Sequence, residues 1–258
     1  MLPTEHGGWA FLGEPVLLGL LVAPSWAGAA LALAALAGFL ARQPLKLVAG
    51  DRRRGRRYPR TAAAERALAV LGLAGALALV TAFALAGPRA TALAITLTPV
   101  AALAAIALSF DLGLRSREAM VEFVAALALG GMATVIARAG EAGSATAFAL
   151  WGVLAARAIS TIPFVRARLR LDRGEPAGIG RALVAQLVAI AVGAALVLSH
   201  RAGAFVLLAC VLLGARAGWG LSRFRPRLRV ALLGVTEIVW GLVTVVLAAL
   251  AMRAPHGG

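Results

Sequence analysis

Three ionisable residues, Glu14, Arg157 and Glu237, stand inside long apolar runs of this sequence. A charge at the middle of a membrane helix costs about 2.5–3.5 kcal/mol on insertion scales, so such groups turn inward and seek partners. Two outcomes are open: an inter-helix ion pair that only fixes packing, or a polar cavity that binds something. At 1.5 Å per residue, all three lie roughly 8–14 Å below the expected cytoplasmic face, in one layer. Arg157 is the expected partner of Glu14. Gln186 and Arg216 approach the same layer from two further runs. The predicted pocket is therefore Glu14, Arg157, Glu237 and Gln186.

A second group could handle an anion. The stretches "DRRRGRRYPR" and "VRARLRLDRG" follow the second and sixth apolar runs, and "RQPLK" precedes the first of them. Arginine forks match phosphate bidentately, which makes Arg42, Gln43, Lys46, Arg166 and Arg168 the predicted anion-binding set. The simpler reading is topology signal plus attraction to anionic lipid. Proton transfer has one candidate pair, Glu5 and His6, because imidazole titrates near neutrality; a structural hydrogen-bonded pair is the alternative. Glu118 and Glu122 share a helix face at i, i+4. They read either as acids favoured at a helix start or as part of an ion site. His200 and His256 fall on the other side from His6, and Cys210 is the single cysteine. No disulfide framework, Cys-His zinc site or other metal centre is expected, and no cofactor.

The elements that must carry these residues follow from composition. The chain has 258 residues, 61% hydrophobic and 14% charged. A soluble domain carries about 25% charged residues, so this chain has too few to coat a water-facing surface. The apolar residues come in blocks of about 20, the length of a bilayer-crossing helix. A barrel is excluded, since runs such as "LGLAGALALVTAFALAG" do not alternate. The fold class is all-α: a polytopic transmembrane bundle of about nine spans in a single domain, 1–258. The spans fall near 9–23, 25–41, 66–87, 90–110, 119–138, 145–166, 181–199, 202–220 and 230–252. The first two are separated only by "APSW", where Pro24 disfavours helix at the residue before it. One long helix or a re-entrant hairpin competes with two spans there. No removable signal peptide is read at the start.

Net charge is +15. The cations sit between spans, which points to membrane topology and not to nucleic acid. With the N-terminus inside, 20 of them fall in or beside the inner loops and four outside. That asymmetry follows the positive-inside rule and predicts a multi-pass membrane protein whose N-terminus and arginine-rich loops are cytoplasmic.

"LPTEHGGWAFLGEPVLLGLL", "RQPLKL", "DRRRGRRYPRT" and "IPFVRARLRLDRG" together resemble the YwiC-like family of bacterial membrane proteins. That resemblance implies a location, the bacterial inner membrane, and no particular reaction. The layout also resembles UbiA-type intramembrane prenyltransferases, which have nine helices and catalytic loops after helices two and six. Those enzymes hold a diphosphate through Mg²⁺ on two aspartate-rich motifs. Here Asp51, Asp111 and Asp172 come one per loop, and no DxxxD occurs. Three functions follow as expectations. The first is binding or modification of an amphiphile with an anionic headgroup, such as an anionic lipid or isoprenoid. The second is small-solute transport. The third is a non-catalytic subunit whose arginine loops dock an acidic protein partner.

Overall fold

The computed structural model describes residues 6–113, 119–226 and 228–253, with side chains from residue 9 onward. Among these residues every regular element is helical. Nine α-helices follow one another: α1 (His6–Val22), α2 (Trp26–Arg53), α3 (Pro59–Ala86), α4 (Ala90–Leu112), α5 (Ala119–Ala139), α6 (Ser144–Asp172), α7 (Ile179–Leu198), α8 (Phe205–Leu221) and α9 (Val230–Arg253). Six helical segments are long and apolar enough to cross a membrane, with α3 and α4 counted as one run of 54 residues. α1 and α8 are shorter apolar helices.

The break before α2 is made locally. Residues 23–25 leave the helix, and the Ser25 hydroxyl accepts from Gly28 N at 2.9 Å. This cap satisfies one of the amides that a helix start leaves unpaired. α1 and α2 do not lie along each other as a hairpin; α1 packs mainly on α5 and α9. Small residues permit that approach. A Cβ on Gly19 would meet Ile136 at 2.8 Å, and one on Gly140 would meet the Ala23 carbonyl at 2.1 Å. Close backbones of this kind are how helices associate in lipid.

The α3–α4 run doubles back at a 3₁₀ turn, Gly87–Arg89, whose Gly87 has φ +53°. Contacts at its two ends show the reversal. α3 starts just after α2 ends, and α4 returns to the same place. There Asp111 takes Arg42 and Lys46 of α2, and Arg53 donates to the Leu112 carbonyl. A straight run of 54 residues would measure about 80 Å at 1.5 Å per residue, far beyond the ~30 Å hydrocarbon core.

Polar contacts sort the helix ends into two sets. One end of the bundle gathers the ends of α2, α4, α6 and α8 with the starts of α3 and α5, joined by arginine pairs. At the opposite end Arg253 donates to the Leu21 carbonyl, and Arg89 pairs with Glu141. The core between them is apolar, built of Leu, Val and many alanines from α1, α5, α6 and α9.

Candidate functional site

α1, α6, α8 and α9 bring four charges together in the interior. Arg157 on α6 donates Nη2 to Glu14 Oε1 of α1 at 3.2 Å and to the Glu237 carbonyl of α9 at 2.8 Å. Its Nη1 reaches Glu237 Oε2 at 3.4 Å and also the Thr161 hydroxyl one turn on. Arg216 of α8 donates Nη1 to the same Oε2 at 2.6 Å. The side chains of Arg157 and Glu14 are 2% and 5% exposed, and those of Arg216 and Glu237 6% and 10%. Two guanidiniums thus balance two carboxylates away from water, the condition under which buried charges persist.

The backbone makes room for this cluster. A Cβ on Gly241, one turn along α9 from Glu237, would fall 1.9 Å from Glu14 Oε1. Arg216 lies over the Phe164 ring at 4.2 Å, a cation–π placement. Pro15, directly after Glu14, has no N–H to give to the Phe11 carbonyl, an interruption that membrane helices tolerate when neighbours pack against it.

Glu14, Arg157 and Glu237 therefore meet. Gln186 does not join them. It bonds across α6–α7, accepting from Ser160 Oγ at 2.6 Å and donating to the Ser160 carbonyl at 2.8 Å. Arg216 makes the fourth member; depth alone pointed to it, and its pairing with Glu237 had no local signal.

The arginine set lies at the end of the bundle defined above, and its members have in-chain partners. Arg42 and Lys46 both engage Asp111. Arg166 pairs with Glu122 at 2.8 Å. Arg168 is buried, and all of its nitrogens are committed: Nε to Asp172, Nη1 to the Gly220 carbonyl at 2.6 Å and Nη2 to the Pro226 carbonyl. Gln43 is an exposed residue of α2. The three aspartates are each held by arginines: Asp51 by Arg60 and Arg54, Asp111 by Arg42, and Asp172 by Arg168 and Arg225. Asp51 lies past the apolar stretch of α2. The Thr61 hydroxyl, then Arg60, holds its carboxyl below the usual aspartate range. Glu65 is likewise held low by Arg52 and Arg57. Of the remaining candidates, His6 is the first residue of α1. Its side chain, Glu5, Arg115, Arg117 and Glu118 lie outside the described residues.

Beside Arg166 the surface opens into a hollow of about 310 Å³. Its polar wall is Arg166, Arg170 and Arg181, and its apolar wall includes Phe123, Ile162 and Pro163. Arg166 and Arg170 share a helix face at i, i+4, and Arg181 comes from the first turn of α7. That turn also brings Gly178 and Ala182 to the wall, so the positive end of a 20-residue helix borders the space. Arg170 and Arg181 were legible as loop cations, but their convergence was not.

The hollow and the four-charge cluster are separate. Arg157 and Arg166 are nine residues apart on α6, about two and a half turns, so they leave the helix on opposite sides.

The family model described as YwiC-like protein matches residues 2–137. No curated protein and no solved structure matches the chain. The matched stretch contains Glu14, the "RQPLK" segment and Asp111, and it runs from the start of α1 almost to the end of α5. It covers just over half of the sequence, and on that match the chain belongs to the YwiC-like family.

Proposed function

We propose that this YwiC-like membrane protein binds an amphiphile with an anionic headgroup at the hollow between α5, α6 and α7. One observation carries the reading. Arg170 and Arg181, two guanidiniums without an ion pair among the described residues, face a space whose other wall is apolar. A headgroup bearing phosphate or carboxylate would take the arginine forks. Its chain would lie against Phe123, Ile162 and Pro163. Arg166, half-exposed and paired with Glu122, adds a cation that a stronger acceptor can recruit, since exposed ion pairs are weak.

The location is part of the proposal. The arginine-rich end of the bundle faces the cytoplasm of a bacterial inner membrane, supported by the 20-to-4 distribution of cations. The ligand then enters from the inner leaflet, where anionic lipids reside. An isoprenoid phosphate and an anionic glycerolipid share the chemistry that this wall recognises.

Lipid retention tests the reading. The purified protein is exchanged into mixed micelles of phosphatidylglycerol and phosphatidylcholine, and bound lipid is measured by native mass spectrometry. Selective retention of phosphatidylglycerol, lost in Arg170→Ala with Arg181→Ala, is expected. Equal retention of both lipids overturns the proposal.

A further inference from the structure

Four buried polar atoms have no hydrogen-bond partner among the described residues: Nε of Arg157, Nε and Nη2 of Arg216, and Oε1 of Glu237. They belong to one ion-paired group, in which Arg157 and Arg216 each place Nη1 on the other oxygen of Glu237, Oε2. Buried donors and acceptors are rarely left unmatched in native interiors, and an unmet donor beside a charge is costly.

Two constraints define what would complete the cluster. The cluster holds three unmet donors and one unmet acceptor, so the missing group is rich in acceptor oxygens. The charges are already balanced, two guanidiniums against two carboxylates, and an added net charge in a dry interior is penalised. An anion must therefore arrive with a proton. Glu237 Oε1 is free to take it. The new O–H becomes a fourth donor, while Oε2 keeps both arginines.

We propose that Glu14, Arg157, Arg216 and Glu237 form a binding site for one small monoanion with acceptor oxygens, a carboxylate or similar oxoanion, taken up together with one proton on Glu237. The site goes beyond the amphiphile hollow and shares no residue with it. Among the described residues, the charged groups that face Glu237 are Arg157 from α6, Arg216 from α8 and, across Arg157, Glu14 from α1. On binding, one O–H bond forms at Oε1, the proton comes from solvent, and no bond of the anion breaks.

Formate is the probe. The full chain in lipid nanodiscs is titrated with sodium formate by calorimetry in two buffers of different ionisation enthalpy, which counts protons. One proton is taken up per formate, and the apparent affinity falls about tenfold for each unit of rising pH, the slope required by linkage to one proton. Glu237→Gln carries an amide N–H where the proton would sit. This variant binds formate with no proton uptake and a flat pH profile, a result that a packing role would not produce. Arg216→Lys loses the planar fork and weakens binding about tenfold or more. The wild-type titration decides the matter even where a variant does not fold. Absence of formate binding, binding without proton uptake, or ordered water alone at the cluster in a formate-soaked structure overturns the proposal.

Discussion

The Glu14 carboxylate occupies the space where a side chain at Gly241 would begin, 1.9 Å from the site of a Cβ. α1 and α9 can approach with an ion-paired acid between them only because position 241 has none. In Gly241→Ala, either the helices separate or Glu14 leaves Arg157. Overpacking of this kind costs about 1–3 kcal/mol. We expect a lower thermal unfolding midpoint in detergent. Combining it with Glu14→Ala, which vacates the space, should recover part of the loss.

Arg157 touches both carboxylates of the cluster. Removing one partner of a buried ion pair costs about 3–5 kcal/mol, because the remaining charge is stranded. Arg157→Ala is therefore expected to lower the yield of folded, monodisperse protein sharply. In the double variant Arg157→Gln with Glu14→Gln, the loss should be smaller than the sum of the singles. Additive losses in a double-mutant cycle would show that the two residues are not coupled.

Arg168 looks from sequence like a headgroup ligand, yet its guanidinium ties α6 to the Gly220 and Pro226 carbonyls and to Asp172. Arg168→Lys keeps the charge and loses the fork. We expect reduced thermal stability with phosphatidylglycerol selectivity intact in the protein that remains folded. A selective loss of lipid at unchanged stability would instead make Arg168 a direct ligand.

Asp51 couples the end of α2 to the start of α3 through Thr61 Oγ1 at 2.7 Å and Arg60 at 3.1 Å. Its folded-state carboxyl is held low, first by the Thr61 hydroxyl and then by Arg60. For a depressed acid, the stabilisation is present above the unfolded aspartate value, about 3.9. It fades as pH falls through the lower folded value. Unfolding midpoints measured from about pH 6 down to about pH 3 should fall more steeply for the wild type than for Asp51→Asn. Parallel profiles would remove Asp51 from the account.

The sequence by itself determined the membrane class, the helical fold and the concentration of arginine at alternate connections. These are sums of local properties: apolar block length, charge density and the position of Pro24 between two runs. It also showed that Glu14, Arg157 and Glu237 share a depth, because helical rise converts residue number directly into distance. The rotation of each helix about its own axis was not legible. A helix that is apolar on every side carries no stripe marking its inner face; spacing alone sets Arg157 and Arg166 on opposite sides of α6, but nothing in α6 said which side turns inward. Nor could one loop arginine be told from another. The packing of α1 between α5 and α9, with glycine opposite Glu14, decided which charges meet, and the turn into α7 decided that Arg181 faces Arg166 and Arg170 across one hollow. Such choices arise from contacts between segments distant in the chain, where shape and charge complementarity act and local composition does not.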